Sequence, residues 1–285
     1  LPYRLTRPSE IRKNQIQFGF EGVADSLKIE PLNVNSDFKS VSNFEKGKDT
    51  LNYFYKNNGS DSIQFKVSNR NYIDTVIVRL RSKKIDSLNL KKSATNDLPF
   101  TNPFRLVSSA PLTSVDSTLI NFKDNDSILV KHAARISKDK SELILDFKKE
   151  YDKKYVIEIL PIAITDFFER TNDTLKFRLN TKKLEDYGKL FVTLQGVKSY
   201  PIIVQLLTDK EKIVEEVYAI EPQKFDFINL LPGKYFLRII YDENQNKKWD
   251  TGNFLLKKQP EKVIYLEFTN DVRANWEMPE TFILK

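Results

Sequence analysis

Cysteine is absent from the 285-residue chain, which holds one histidine and one methionine. The missing cysteines exclude disulfides, thiolate zinc sites and cysteine nucleophiles together. They say little about compartment, because a disulfide is common rather than obligatory where conditions are oxidising. A single histidine excludes multi-histidine metal sites and leaves His132 as the only candidate base for a Ser-His-Asp arrangement. Glycine is scarce, at 8 residues, so Asn and Asp are expected to fill turn positions. No apolar run reaches the roughly 18 residues that a membrane-crossing helix needs. No signal-peptide pattern is visible either. The chain opens Leu1-Pro2-Tyr3-Arg4. It reads as a mature piece of a longer polypeptide, with any signal or anchor lying upstream.

Apolar material, by contrast, is plentiful. Hydrophobic residues make up 40% and aromatics 12%, with 20 Phe and 12 Tyr, enough for real cores and against intrinsic disorder. At about 100–150 residues per domain the length allows two or three domains. The net charge of +7 comes mostly as scattered doublets such as Lys83-Lys84, Lys148-Lys149, Lys182-Lys183 and Lys247-Lys248, with acids nearby. A nucleic-acid binder concentrates its charge on one face or arm, so no nucleic-acid partner is expected.

Strand signals dominate. Ile16, Phe18 and Phe20 alternate with polar or small neighbours, as do Ile63, Phe65 and Val67. Thr75–Leu80 alternates with more apolar character and is expected to be more buried. Asn57-Asn58-Gly59 between two such runs is a hairpin turn signal. Further strands are expected over Phe104–Ser108, Ser117–Phe122, Ser127–Lys131, Glu142–Phe147, Tyr155–Leu160 and Asp173–Asn180. Leu190–Leu194 and Pro201–Leu207 read as buried strands. Glu215–Ile220, Lys224–Ile228, Tyr235–Tyr241 and Val263–Phe268 complete the set. No convincing helical period occurs. Short strands recurring every 8–12 residues or so are the sandwich signature. The fold class is therefore all-β, with tandem immunoglobulin-like β-sandwich domains. The boundaries read as 1–13 (a linker or edge strand), 14–95, 96–182 and 183–285, with the polar stretch 91–97 as a junction.

Two segments resemble known families. Pro103-Phe104-Arg105-Leu106 with Ala110-Pro111-Leu112, and Ala163–Phe168 with Asn172-Asp173-Thr174-Leu175, resemble the opening and closing of a bacterial Ig-like domain of the S-layer type. Phe225–Arg238, an aromatic strand followed by a Leu-Pro-Gly turn and an alternating strand, resembles a transthyretin-like or Cna-B-like module. The order of units, ending in Trp249–Asn253 and Arg273–Trp276, resembles Bacteroidota envelope Ig-like-domain proteins. That resemblance implies an exported protein of the periplasm or outer-membrane surface whose partners are other envelope proteins. It also implies a lipoprotein-type anchor, for which the lipid-bearing cysteine would have to lie upstream.

The sharpest local motif is Asp242, Asn244 and Asn246 at alternate positions, with Asp250 four residues further on. Calcium takes about six to eight oxygens, often from such alternating side chains. Lys247 stands where an EF-hand-like loop carries glycine, and the terminal bidentate Glu is missing. The competing reading is a polar hairpin loop whose Asn and Asp bond the local backbone. Trp249, Trp276 and Tyr241, with Tyr265, are candidate binding aromatics, against the alternative that they cover sandwich ends. The carboxylate pairs read as solvated acids: Glu215 and Glu216 diverge, since adjacent strand residues face opposite ways, and Asp124 and Asp126 flank a turn. No catalytic motif emerges. The sequence points to a non-enzymatic structural or interaction protein of the bacterial envelope. A carbohydrate- or peptidoglycan-binding module is the alternative, which requires exposed aromatics on one sandwich face.

Overall fold

Alternating apolar residues make these segments strands because every second side chain falls on one face, and that face must find a partner layer. The computed structural model describes residues 3–45, 48–56, 59–81, 87–93, 97–100, 102–252, 257 and 259–284. It is all-β, with no α-helix among the described residues.

The first sandwich contains β1 (Arg4–Leu5), β2 (Ser9–Arg12), β3 (Gln15–Glu21), β4 (Lys28–Pro31), β5 (Ser40–Phe44), β6 (Thr50–Tyr55), β7 (Ser62–Asn69) and β8 (Tyr72–Arg79). One sheet runs β1-β3-β6-β5, with β2 also paired to β3, and the other runs β4-β7-β8. The N-terminal segment is thus edge strand rather than linker. Its buried Glu10 accepts hydrogen bonds from the Tyr55 hydroxyl at 2.8 Å and the Asn14 N–H at 3.2 Å. Burial, followed by these contacts with Glu10, pushes the Tyr55 phenol well above its ordinary pKa. Between the sheets lie Ile16, Phe18, Tyr53, Ile63, Phe65 and Val67. Thr75–Leu80 is less buried than its composition suggests. β8 has one sheet neighbour, β7, and buries only the Val76–Val78 side against the core. Ile73 and Ile77 stand on the other face, each 67% exposed. The Asn57-Asn58 turn lies outside the described residues.

The second sandwich contains β9 (Leu90–Lys92), β10 (Phe104–Ser108), β11 (Leu112–Val115), β12 (Ile120–Asp124), β13 (His132–Ile136), β14 (Glu142–Phe147), β15 (Lys154–Ile159), β16 (Ile164–Asp166) and β17 (Leu175–Asn180). The sheet β9-β10-β14-β13 is opposed by β12-β15-β17. This is the A-B-E-D over C-F-G arrangement of a constant-type immunoglobulin domain, with β11 and β16 as an added pair. Phe122 and Phe147 bridge the sheets edge to face at 4.5 Å. Three sequence expectations shift here. Ser117–Leu119, expected as the start of a strand, is a 3-10 turn capped by Asp116, which accepts the Thr118 N–H, and the strand begins at Ile120. Leu90–Lys92, placed before the 95/96 boundary, pairs with Leu106–Ser108 and is the first strand of this sandwich. The strand expected over Ser127–Lys131 lies at His132–Ile136 instead, because Asp124 accepts the N–H groups of Asp126 and Ile128 and holds the preceding residues in a turn.

The third sandwich contains β18 (Gly188–Gln195), β19 (Ile202–Thr208), β20 (Ile213–Ala219), β21 (Lys224–Leu230), β22 (Tyr235–Tyr241), β23 (Val263–Glu267) and β24 (Glu277–Ile283). Its sheets run β21-β18-β24 and β20-β19-β22-β23. β24, beyond the last strand expected from sequence, pairs parallel with β18. Pro279 inside it hides the signal, and its edge position tolerates the missing N–H. Gly196, at φ 73°, lets the chain pass there, since a Cβ would meet the Leu284 carbonyl oxygen at 2.5 Å.

Residues 1–95, 103–148 and 155–178 form one compact unit, and 96–102, 149–154 and 179–285 form another. Parts of the expected 96–182 domain therefore pack with the third sandwich. Phe100 stacks on Tyr151 at 4.2 Å and meets the Tyr187 ring edge-on at 5.6 Å, which draws both short segments into the second unit.

Candidate binding pocket on the third sandwich

The pocket is built from two cross-strand rows. On the outward face of the four-stranded sheet, register aligns Glu216, Gln205, Arg238 and Tyr265 across β20, β19, β22 and β23. Two residues along, the next row is Tyr218, Ile203, Ile240 and Val263. The first row is polar and hydrogen-bonded throughout. Arg238 Nε donates to Gln205 Oε1 at 2.6 Å, Gln205 Nε2 donates to Glu216, and Arg238 Nη1 reaches the Tyr265 hydroxyl at 3.4 Å. The guanidinium also lies 5.9 Å from the Tyr265 ring centroid.

An outward sheet face normally meets water, yet Ile203 and Ile240 are each only 2% exposed. The reason is the loop that follows β22, which brings Lys247, Lys248 and Trp249 to the walls above the rows. The space left is a cavity of about 460 Å³. Trp249 and Tyr265 remain about half exposed at its rim, at 48% and 55%.

The same loop carries the calcium-like motif. Asp242 is fully buried and accepts the N–H groups of Asn246 at 3.1 Å and Lys247 at 2.9 Å. Asn244 and Asn246 both donate side-chain amide hydrogens to Asp250 Oδ2, the latter at 2.8 Å. Glu261, unmarked by sequence reasoning, ties the loop's two ends. Its carboxylate accepts from the backbone N–H of Glu243 at 3.0 Å and of Asp250 at 2.9 Å. Its carbonyl accepts the Trp249 indole N–H at 3.2 Å. Lys247 takes φ 62°, the left-handed conformation for which glycine is usual, and its ammonium sits 5.2 Å from the Tyr218 ring. Burial, and then a hydrogen bond to Asp242, raise the Tyr218 phenol above its ordinary pKa. The four motif side chains thus share one loop, and that loop fixes Trp249.

The other candidate aromatics do not join it. Tyr241 was expected as a binding residue, but it is only 4% exposed, within the core cluster of Val204, Leu237 and Ile239. It continues the inward alternation of Leu237 and Ile239 along β22, and that parity turns it away from the pocket. Trp276 is half exposed and stacks on the Arg273 guanidinium at 4.8 Å, away from these rows. His132 begins β13 with its ring 5.6 Å from Phe122. Glu216 belongs to the polar row, whereas Glu215, on the opposite parity, has its pKa raised by burial. No group of three or more His, Cys, Asp or Glu is placed to hold a metal ion among the described residues. Reading from sequence missed Gln205 and Arg238 and took Glu216 as a solvated acid. The available signal was a glutamine inside the otherwise apolar run Ile202–Leu207 and an arginine inside Tyr235–Tyr241, polar residues where two buried faces demand a partner.

No protein-family model matches the chain. No curated protein matches it in sequence. Solved structures give distant likenesses. One is native alpha-2-macroglobulin from Escherichia coli, domains MG0-NIE-MG1, at 14% identity and TM-score 0.32 over 65% of this chain and 76% of that one. Another is the S-layer protein SbsC, domains 5-6, at 7% identity and TM-score 0.27 over 63% and 99%. A third is BcpA, the major pilin subunit of Bacillus cereus, at 12% identity and TM-score 0.21 over 90% and 99%. At these scores they carry no argument about family or activity. What the chain's own strand order establishes is tandem β-sandwiches, the middle one with immunoglobulin topology.

Proposed function

We propose that this chain is a non-enzymatic structural protein of the bacterial envelope that presents rigid sandwich surfaces to protein partners. The observation that carries the reading is β8. It is an eight-residue strand with a single sheet neighbour, and it shows Ile73 and Ile77 to solvent at 67% exposure each. A sheet-edge strand with apolar side chains on its outer face is a site for another chain to pair, although the N-terminal segment approaches it where Glu10 accepts the Arg81 N–H. The test is a photo-crosslinking residue placed at Ile73 or Ile77 in the cell of origin. Discrete adducts with envelope proteins are expected there, and none from the same residue at Leu129, which is comparably exposed at 71%. Identical adduct patterns from both positions, or no adducts from β8, would remove the support.

A second reading, carbohydrate binding, is favoured by Trp249 and Tyr265 flanking one cavity on a single sheet face. Aromatic rings with a polar handle suit a sugar, whose C–H faces are apolar and whose hydroxyls need hydrogen bonds.

Calcium belongs to the same proposal, because Asp242, Asn244, Asn246 and Asp250 each carry a side-chain oxygen, the donor type that hard cation prefers, and calcium would have to displace the loop N–H and amide donors those oxygens now accept. Binding to the folded state raises stability by mass action. With calcium in excess the third sandwich's melting midpoint should rise, and EDTA should reverse the rise. An unchanged midpoint would leave the loop's own hydrogen bonds as its organisers.

A further inference from the structure

We infer that the cavity over β19 and β22 binds a carboxylate-bearing sugar, such as a uronic acid unit of an acidic glycan. The inference deepens the carbohydrate reading above and rests on it. Three features select this chemistry. The first is charge. Arg238, Lys247 and Lys248 line the cavity against one carboxylate, Glu216. A neutral sugar leaves that excess unmatched, and an anion matches it.

The second is unused donor capacity at a fixed place. Arg238 is held by Gln205 on one side and by the Tyr265 hydroxyl on the other. Those bonds engage Nε and one hydrogen of Nη1, and the rest of a five-hydrogen donor fork has no further partner among the described residues. A guanidinium already oriented by its neighbours loses little freedom when it takes up a planar carboxylate in bidentate fashion. The third is shape and polarity. Ile203 and Ile240, each 2% exposed, close the floor beside the polar row, with Val263 half-buried next to them, and Trp249 and Tyr265 stand at the rim. A pyranose ring has apolar C–H faces for the half-exposed Trp249 and Tyr265 rings and hydroxyls for Glu216, the exposed carboxylate of the row. A volume of about 460 Å³ holds one or two such rings.

Extended peptide is the competing occupant. It would call for unpaired backbone at the site, and β19 and β22 are interior strands with both neighbours in place.

The experiment titrates the full chain calorimetrically with a galacturonate trisaccharide, its neutral galactose counterpart and an acidic tripeptide. The galacturonate should bind at least about tenfold more tightly than the neutral sugar, and added salt should shrink the difference. Trp249→Ala, at a half-exposed position that leaves the core intact, should weaken both sugars by about tenfold or more. Arg238→Met should bring the two sugars to equal affinity, with its fold checked by circular dichroism, and Lys248→Gln provides a second charge variant whose removal cannot disturb the row. Equal binding of both sugars by the unaltered chain overturns the acidic preference and leaves the carbohydrate reading standing. Binding of neither sugar defeats both. Tighter binding of the peptide than of either sugar overturns the inference and turns the site over to protein recognition.

Discussion

Phe65→Ala is expected to destabilise the first sandwich by about 3–5 kcal/mol, the range for deleting a fully buried aromatic. Phe65 is 0% exposed on β7. Its ring meets Phe18 edge-on at 5.2 Å and 86°, and Tyr53 at 5.1 Å and 78°. Alanine forfeits the transfer energy of the ring, opens a cavity among side chains that cannot collapse onto it, and removes two edge-to-face contacts worth about 0.5–1.5 kcal/mol each. A chain of several sandwiches has no single unfolding free energy, so the loss is best read from amide exchange within β3, β6 and β7. Ile77→Ala supplies the control. It removes a large apolar side chain from the neighbouring strand, but at 67% exposure it should stay within about 0.5 kcal/mol. Equal costs at the two positions would show that the inward and outward faces of this sheet have been assigned wrongly.

That contrast marks what a sequence can and cannot say. Ile63-Gln64-Phe65-Lys66-Val67 shows its buried face openly, because a polar partner stands at every second place. Ile202–Leu207 announces burial on both faces but not what covers the second. The cover is a loop some forty residues onward, brought back by the β19–β22 pairing. The polar row as a unit was hidden for the same reason, though Gln205 and Arg238 each stood out as polar residues in apolar runs. Glu216, Gln205 and Arg238 come from three strands, and only register aligns them. The Asp242–Asp250 motif was legible as a local cluster, while Glu261, which ties its ends, carries no local mark. Boundaries failed where pairing overrode composition. Leu90–Lys92 looks like a polar tail until β10 is set beside it, and the residues around Phe100 and Tyr151 follow their ring contacts rather than their place in the chain.

Asp166→Ala should be as damaging as the loss of Phe65, though no apolar contact is involved. The side chain is wholly buried, accepts three hydrogen bonds, from the N–H groups of Phe168 and Arg170 at 2.9 Å each and from Arg170 Nε at 2.7 Å, and makes an ion-pair contact with Arg170 Nη2 at 2.6 Å. Removing one member of a buried charged pair costs about 3–5 kcal/mol, because the other charge and the backbone donors are left without acceptors. The exposed pair Arg135–Asp146, a similar distance apart at 2.8 Å, is the natural comparison, and its loss should stay below about 1 kcal/mol. Asp166 lies in Ala163–Phe168, part of what resembled a bacterial Ig-like domain. Asn172, from the same stretch, is 3% exposed and bonds the Ile164 N–H and the Leu160 and Asp173 carbonyls. The familiar residues are therefore staples of a loop, and the loop has neighbours within its unit. Phe168 packs against Phe54 of the first sandwich at 6.5 Å, and Lys56 pairs with Glu169. Asp166→Ala should accordingly loosen the first sandwich from the second as well as weaken the second itself. Limited proteolysis is expected to cut the variant within 166–172, and the small-angle scattering distance distribution of the full chain should broaden. A variant that stays within about 1 kcal/mol of the unaltered chain, with no new cleavage, would mean that the buried ion pair does not hold this junction and that rigid presentation of the two sandwiches must rest on other contacts.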